Sequence, residues 1–326
     1  MSQQMIQVSD LRRSFGATAA VDGVGFEVAA GEVVGLLGPN GAGKTTTIHC
    51  LTTLLKPDAG TVRVAGFDVV SQAAEVRRSI AVTGQFAALD EMLTGRENLV
   101  LFGRLLGLGR SAAAARADEL VERFDLGEVA GGAVRTYSGG LRRRLDLAAS
   151  LVVDRPVLIL DEPTTGLDPR SRRALWEVVR ELRDSGTAVL LTTQYLEEAD
   201  QLAGRVLLID HGRIVAEGTP DELKRQLGGA VCEVRVGDPQ ARAVAAEQLR
   251  AAFPGLTEDD DVLRLAAGSG TLTEVVRRLE SAGVEADDVT VRRPTLDEVF
   301  LSLTGAPDVD GSERSTVARD VAGAGR

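Results

Sequence analysis

GPNGAGKTT, Gly38 to Thr46, fills every fixed place of the phosphate-cradling pattern GxxxxGK[ST]. In that pattern the glycines let backbone N–H groups close around phosphate oxygens without Cβ clashes. Lys44 reaches the terminal phosphates, and Thr45 offers its hydroxyl to Mg²⁺. The chemistry also needs a strand before the loop and a helix after it. The apolar run Val33 to Leu37 supplies the strand, and a helix is predicted from Gly43 to about Leu55 with its positive N-terminal end aimed at phosphate. Gly38, Pro39, Asn40, Gly41, Ala42, Gly43, Lys44, Thr45 and Thr46 are therefore expected to bind a nucleoside triphosphate. The bland alternative is a chance glycine turn, for which that flanking context has no reason to exist.

The bulk properties allow such a site. A chain of 326 residues can bury a full core, and its length favours about two domains. Hydrophobic content of 44% and charged content of 26% are ordinary for a soluble globular protein. The longest purely apolar stretches, such as Val157 to Leu160 and Ala188 to Leu191, are strand-sized, far below the roughly 18 residues of a membrane helix. The chain is thus not expected to cross a bilayer, and its N-terminus lacks the basic start and apolar core of an export signal, so a cytoplasmic placement is expected. Cys50 and Cys232 stand far apart with no CxxC, and the only histidines are His49 and His211, so no zinc constellation can be assembled. Both cysteines read as small buried hydrophobes, His49 as a packing residue and His211 as a hairpin-turn residue. A net charge of −11 argues against a protein that coats nucleic acid. The densest basic cluster, Arg142-Arg143-Arg144, reads equally as a solvated helix face or as a surface near phosphate or a partner.

From Ile6 to about Leu227 apolar strands alternate with helical segments, the pattern of an α/β domain with a largely parallel central sheet. Within it, about 89–153 lacks β-branched runs and is rich in Ala, Leu, Arg and Glu, which reads as an inserted helical subdomain. Strands are expected again at Val157 to Leu160, Ala188 to Thr192 and Val206 to Ile209. The boundaries expected are 1–228 for this domain and 229–305 for a small α+β domain whose order of strands and helices suggests a split βαβ arrangement. Residues 306–326 are polar, small and free of aromatics, the composition of a disordered tail.

Two further motifs complete the constellation. Val157-Leu158-Ile159-Leu160 ends in Asp161-Glu162, where Asp161 can hold Mg²⁺ through water and Glu162 can polarise an attacking water. Alone, an apolar run ending in two acids is weak evidence; beside a phosphate loop it is strong. Tyr137-Ser138-Gly139-Gly140-Leu141 precedes a predicted helix, and its serine and glycine amides make a second anion site.

Together with Gly166-Leu167-Asp168-Pro169, these motifs resemble the ATP-binding cassette (ABC) ATPase family over about residues 5–228. The resemblance implies ATP and Mg²⁺ as ligands, a P-loop fold with an inserted helical subdomain, and a homodimer in which Ser138, Gly139 and Gly140 of one copy close on ATP held by the other. It further implies that Gln85 touches Mg²⁺, together with Thr45 and Asp161, and senses a membrane partner; that Phe15 stacks on adenine, an ordinary core Phe being the alternative; and that Asp168 is the acid of a loop crossing the dimer. Glu162, Lys44 and Gln194 would carry hydrolysis. Two departures stand out: Tyr137 and Leu141 flank the SGG core, and Gln194 occupies the place where the family usually has histidine. Glutamine cannot carry a proton as histidine can, yet it can orient water or donate to a γ-phosphate.

The phrases YSGGLRRRLDLAASLV, LLTTQYLEEADQLA and RRPTLDEVFLSLTG narrow the resemblance to the daunorubicin-resistance type of ATP-binding subunit and extend it to about residue 305. That implies a drug exporter's ATPase on the cytoplasmic face of the membrane, bound to a separate permease. A lipid or polysaccharide exporter and a regulatory nucleotide switch without transport are the alternatives. A ribosome- or DNA-acting relative would be expected to carry two cassettes or a long coiled coil, and neither is in this sequence.

Overall fold

Two long strands joined by a tight turn start the fold of the computed structural model, which describes residues 3–84, 89–226, 229–268 and 270–304. β1 (Gln4–Phe15) and β2 (Thr18–Ala29) pair antiparallel, with Phe15 opposite Thr18. Val24, Phe26 and Val28 of β2 are buried and the residues between them exposed, the period of a strand with one face on a core. β3 (Val33–Leu37) then enters the interior and feeds the phosphate loop and α1 (Lys44–Leu51). After β4 (Ala59–Val64), β5 (Phe67–Asp68) and α2 (Ala73–Ser79), β6 (Ile80–Thr83) leads to the helical stretch α3 (Gly95–Leu105), α4 (Arg110–Arg123) and α5 (Gly139–Ser150). The chain returns to the interior as β7 (Val157–Asp161), α6 (Pro169–Asp184), β8 (Ala188–Thr193), α7 (Leu196–Leu202), β9 (Arg205–Asp210), β10 (Arg213–Gly218) and α8 (Pro220–Gln226).

These strands make two sheets. The larger has the order β10-β9-β3-β8-β7-β6, parallel throughout except for the hairpin edge β10. Its inner strands are buried from end to end, as strands covered on both faces must be. Alternate residues divide between two cores: Leu158 and Leu160 of β7 meet α5 and α6, whereas Val157 and Ile159 meet α1 and the second sheet. The larger sheet is the largely parallel central sheet expected, and the second sheet, β2-β1-β4-β5, is antiparallel and was not foreseen. The reason is local, because a turn as short as the one between Phe15 and Thr18 can only join antiparallel neighbours. The helix after the phosphate loop is also shorter than predicted. Thr52 returns its hydroxyl to the Ile48 carbonyl at 2.9 Å and Thr53 turns to φ 65°, which stops the helix at Leu51 rather than near Leu55.

The remaining described residues form β11 (Ala230–Arg235), α9 (Pro239–Arg250), β12 (Thr257–Asp259), β13 (Val262–Ala267), α10 (Thr271–Ser281), β14 (Asp288–Arg292) and α11 (Leu296–Thr304). The strand order β12-β13-β11-β14, antiparallel at every neighbour, is a split βαβ arrangement with its own core around Cys232, Val234, Leu249, Leu263 and Val275. The last helix leaves that core. Leu296 and Val299 of α11 pack with Leu223 of α8, Ala199 of α7 and Leu37, the residue before the phosphate loop. The stretch 306–326, expected as a tail, lies outside the described residues.

Leu190 sits at the centre of β8 with no exposed surface. Leu190→Ala is expected to cost about 2–5 kcal/mol of stability, from lost transfer energy and the cavity left in a sheet that cannot collapse. Urea unfolding of the two proteins measures it, and a cost under about 1 kcal/mol would contradict the rigid central layer described above.

Candidate active site

All the parallel strands end on the same side, so the loops after β3, β7 and β8 meet at one edge of the sheet, with Gly84 after β6. The loop after β3 is held from behind. A Cβ at Gly38 would meet the Ile209 carbonyl oxygen at 2.2 Å, and one at Gly43, which has φ 109°, would meet that of Ala20 at 2.4 Å. Only glycine fits either place. The turn between β9 and β10 completes the clamp: Gly212 donates its N–H to the Ala42 carbonyl at 2.9 Å, and its own carbonyl accepts from the Asp22 N–H at 2.8 Å. His211, with φ 46° and its side chain in solvent, is the turn residue expected from the sequence.

On the open side of the loop, α1 begins at Gly43 without a side-chain cap, and the first amides of the helix stay free for an anion. Lys44 is 6% exposed and donates from Nζ to the Gly38 carbonyl at 2.6 Å and the Pro39 carbonyl at 3.0 Å. Burial pulls its pKa below the ordinary lysine value, while the charges of Glu162 and Asp161 oppose that loss. Asp161, buried at the end of β7, accepts a hydrogen bond from the Thr192 hydroxyl at 2.5 Å across the strand pair. Glu162 takes the left-handed conformation, φ 48°, and its N–H donates to the Thr192 carbonyl at 3.0 Å. Its half-buried carboxylate accepts from the Thr165 hydroxyl at 3.3 Å. A lysine, two carboxylates and the exposed hydroxyl of Thr45 thus share one edge, and one hydroxyl with one carboxylate suits Mg²⁺, which keeps waters and phosphate oxygens as its other ligands.

The Ser138-Gly139-Gly140 stretch, expected as a second anion site, is built separately. Ser138 caps α5 by accepting the Leu141 N–H at 3.3 Å, and Asp168 caps the neighbouring α6 by accepting the Ser171 N–H at 3.0 Å and hydroxyl at 2.6 Å. Those bonds hold the Asp168 carboxyl below the usual carboxylate range. Gly140 lies between the two caps, with Ser171 Oγ 3.4 Å and Asp168 Oδ2 3.5 Å from the position of a Cβ. No hydrogen bond among the described residues joins Ser138, Gly139 or Gly140 to the phosphate loop. Tyr137 points away from this surface, donating from Oη to the Val129 carbonyl at 2.7 Å.

Phe15 is 49% exposed, with the Arg13 guanidinium 5.1 Å from its ring centroid, so the alternative of an ordinary core Phe is set aside. Gln194 is exposed just past β8. Gln85 lies outside the described residues. Sequence reasoning missed Thr192, whose only signal was its place opposite Asp161, and it left the Arg142-Arg143-Arg144 cluster open between two readings. For Arg143 the solvated-face reading does not hold: its side chain is 11% exposed and turns inward to the loop after β7, beside Asp161 and Glu162.

The family model described as ABC transporter matches residues 21–165, and the model described as ATP-binding protein DrrA1-3-like, C-terminal domain, matches 218–304. The daunorubicin resistance ATP-binding protein DrrA3 of Streptomyces coeruleorubidus is 54% identical over 94% of this chain and 97% of its own length. This chain belongs to the ABC ATPase family. The doxorubicin resistance ATP-binding protein DrrA of Mycobacterium tuberculosis is 51% identical over 93% of this cassette protein and 94% of its own chain. A solved ATP-binding subunit of an ABC transporter superposes with TM-score 0.63 at 31% identity, over 68% of this chain and 93% of that one. A bacterial ABC transporter cassette solved as a dimer has TM-score 0.61 over 66% of this chain and 98% of its own; at 23% identity it speaks for the fold alone. Among the described residues no helix of the ATPase is long and apolar enough to cross a membrane.

Glu198, four residues past Gln194, has no exposed surface and accepts from the Thr164 hydroxyl at 3.1 Å. Burial raises its pKa above the ordinary glutamate value, against the Thr164 hydrogen bond and the charge of Arg172. The native state therefore binds this proton more tightly than the unfolded chain, so stability is lost as pH climbs from the ordinary glutamate range through the raised value. Glu198→Gln removes that loss. The stability difference, variant minus parent, is expected to be larger at about pH 8 than at about pH 5 in urea unfolding, and a pH-independent difference would refute it.

Proposed function

We propose that two copies of this ATPase close around two ATP molecules and energise efflux of a drug through a separate membrane permease, from the cytoplasmic face of the membrane. The observation that carries the reading is the gathering of Lys44, Asp161 and Glu162 at one sheet edge, near enough that both acids act on the Lys44 charge. Relatives of nearly full length that are named for daunorubicin and doxorubicin resistance support a drug as cargo. A Nod factor export ATP-binding protein from Paraburkholderia xenovorans, 40% identical, supports a second cargo class at greater distance.

In this reading the loop from Gly38 to Thr46 binds the phosphates of the substrate, and the Lys44 ammonium exchanges its two loop carbonyls for phosphate oxygens. Thr45, Asp161 and Gln85 hold Mg²⁺, which supplies charge neutralisation on the phosphates. Phe15 offers a flat exposed face to the adenine. Glu162 accepts a proton from the attacking water, and Gln194 orients that water or donates to the transferred phosphoryl group, without taking up the proton. Ser138, Gly139 and Gly140, with no bond to the loop of their own chain, face the nucleotide of the second copy, and Asp168 stands beside them. Closure buries both nucleotides, and loss of phosphate removes what holds the copies together, a population shift driven by differential affinity.

Removing the proton acceptor while keeping its shape separates chemistry from binding. Glu162→Gln is expected to lower Mg²⁺-dependent ATP turnover by about a hundredfold or more with ATP affinity retained, and permease in lipid is expected to stimulate the parent but not the variant. Normal turnover in Glu162→Gln would defeat the assignment of the acid; tight ATP binding without turnover in the parent, with or without permease, would favour a regulatory nucleotide switch.

A further inference from the structure

The three arginines of the α5 cluster part company. Arg142 reaches out to Glu91 at 2.7 Å, and Arg144 lies 3.7 Å from the Asp125 carboxylate. Arg143 turns inward and donates to four backbone carbonyls. Nε bonds Pro163 at 3.0 Å, Nη2 bonds Asp161 at 3.1 Å and Glu162 at 3.0 Å, and Nη1 bonds Gly84 at 2.5 Å. Asp146, one turn further along α5, stands 3.6 Å from Nη1.

Burying a guanidinium is costly, and desolvation lowers the Arg143 pKa against the charges of Asp146, Asp161, Glu198 and Glu162. The cost has a local origin. Glu162 is a non-glycine residue held at φ 48°, a conformation that persists only where its surroundings impose it. Turning the chain there aims the carbonyls of Asp161, Glu162 and Pro163 away from the strand ladder and toward one point. A flat fork of five N–H donors can satisfy them together; a lysine ammonium, with three donors at one atom, cannot span them and Gly84 at once.

We propose that Arg143 is a positioning residue for Glu162, fixing the left-handed turn that presents its carboxylate and tying that turn to α5. Because α5 begins at Ser138, the acid of one ATP site is joined through a single side chain to the surface that serves the other site. This rests on the function proposed above. Arg143 touches no substrate; it acts through the backbone of residues 161–163 and of Gly84.

The test needs a variant that folds. Arg143→Gln alone leaves the buried Asp146 carboxylate without its nearest cation, so it is made together with Asp146→Asn and compared with Asp146→Asn alone. The pair is expected to lose turnover by about tenfold or more with MgATP affinity within about threefold, and to melt at a lower temperature because four backbone carbonyls lose their donor. Peptide-resolved hydrogen exchange is expected to speed up at the Glu162 and Thr165 amides, which bond Thr192 and Glu162 carbonyls, and to stay the same in α1. Exchange and turnover equal to the control would overturn the proposal, and so would a parallel fall in turnover and MgATP affinity, the mark of structural support alone. Arg143→Lys keeps the charge and loses the fork; full activity in that variant would also overturn it. The exchange readout is independent of hydrolysis, so Glu162→Gln with undiminished turnover would retire the assigned acid, while the exchange rates alone would still decide whether Arg143 holds the turn.

Discussion

Charge at the end of a parallel sheet has little water to lean on. The strands β3, β7 and β8 are buried along their whole length, so the groups at their exits must satisfy one another. Lys44 does so with two loop carbonyls and the fields of Asp161 and Glu162, Asp161 with the Thr192 hydroxyl on the adjoining strand, and the turn after β7 with Arg143. These groups are thus bonded before a substrate arrives. Such prior arrangement is what electrostatic catalysis requires, since dipoles already oriented cost nothing to orient during the reaction.

The rest of the fold serves to hold that edge still. The phosphate loop rests on the Ile209 carbonyl, the Ala20 carbonyl and the β9–β10 turn, so the antiparallel sheet and the hairpin edge both bear on it from behind. The same sheet ends in Phe15, which puts an exposed ring at the end of the strand neighbouring β2. The C-terminal segment joins in from a third side, because α11 shares a core with Leu37, the last residue before the loop. A helix far along the sequence therefore shares a core with the strand that leads into the phosphate loop.

How much of this was legible depended on whether a residue's role is local. The phosphate loop could be read because its glycines answer to backbone sterics within a few residues, and β7 because an apolar run ending in Asp161-Glu162 stands out against any background. The His211 turn was legible for the same reason. The antiparallel sheet was not, since β1 and β4 are far apart in sequence and nothing in either names its partner. Arg143 was visible only as one of three arginines. Which of them turns inward depends on where four carbonyls from residues 84 and 161–163 converge, a fact of tertiary geometry alone. Thr192 was hidden likewise, because its value lies in being in register with Asp161.

The two neighbouring helix ends at Ser138 and Asp168 differ in how they are capped. Asp168 satisfies α6 with a carboxylate, which offsets the positive end of that helix; Ser138 satisfies α5 with a neutral hydroxyl, which does not. The more positive of two adjacent helix ends is therefore the one that carries Ser138, Gly139 and Gly140. Both caps are complete within the chain, so a single copy has little reason at these helix ends to dimerise by itself. A triphosphate bound to a second copy, as proposed, would change that balance by bringing concentrated negative charge to the α5 end. In the dimer proposed above, closure would then depend on the nucleotide, and the bonds gained on closing would vanish with the phosphate that made them.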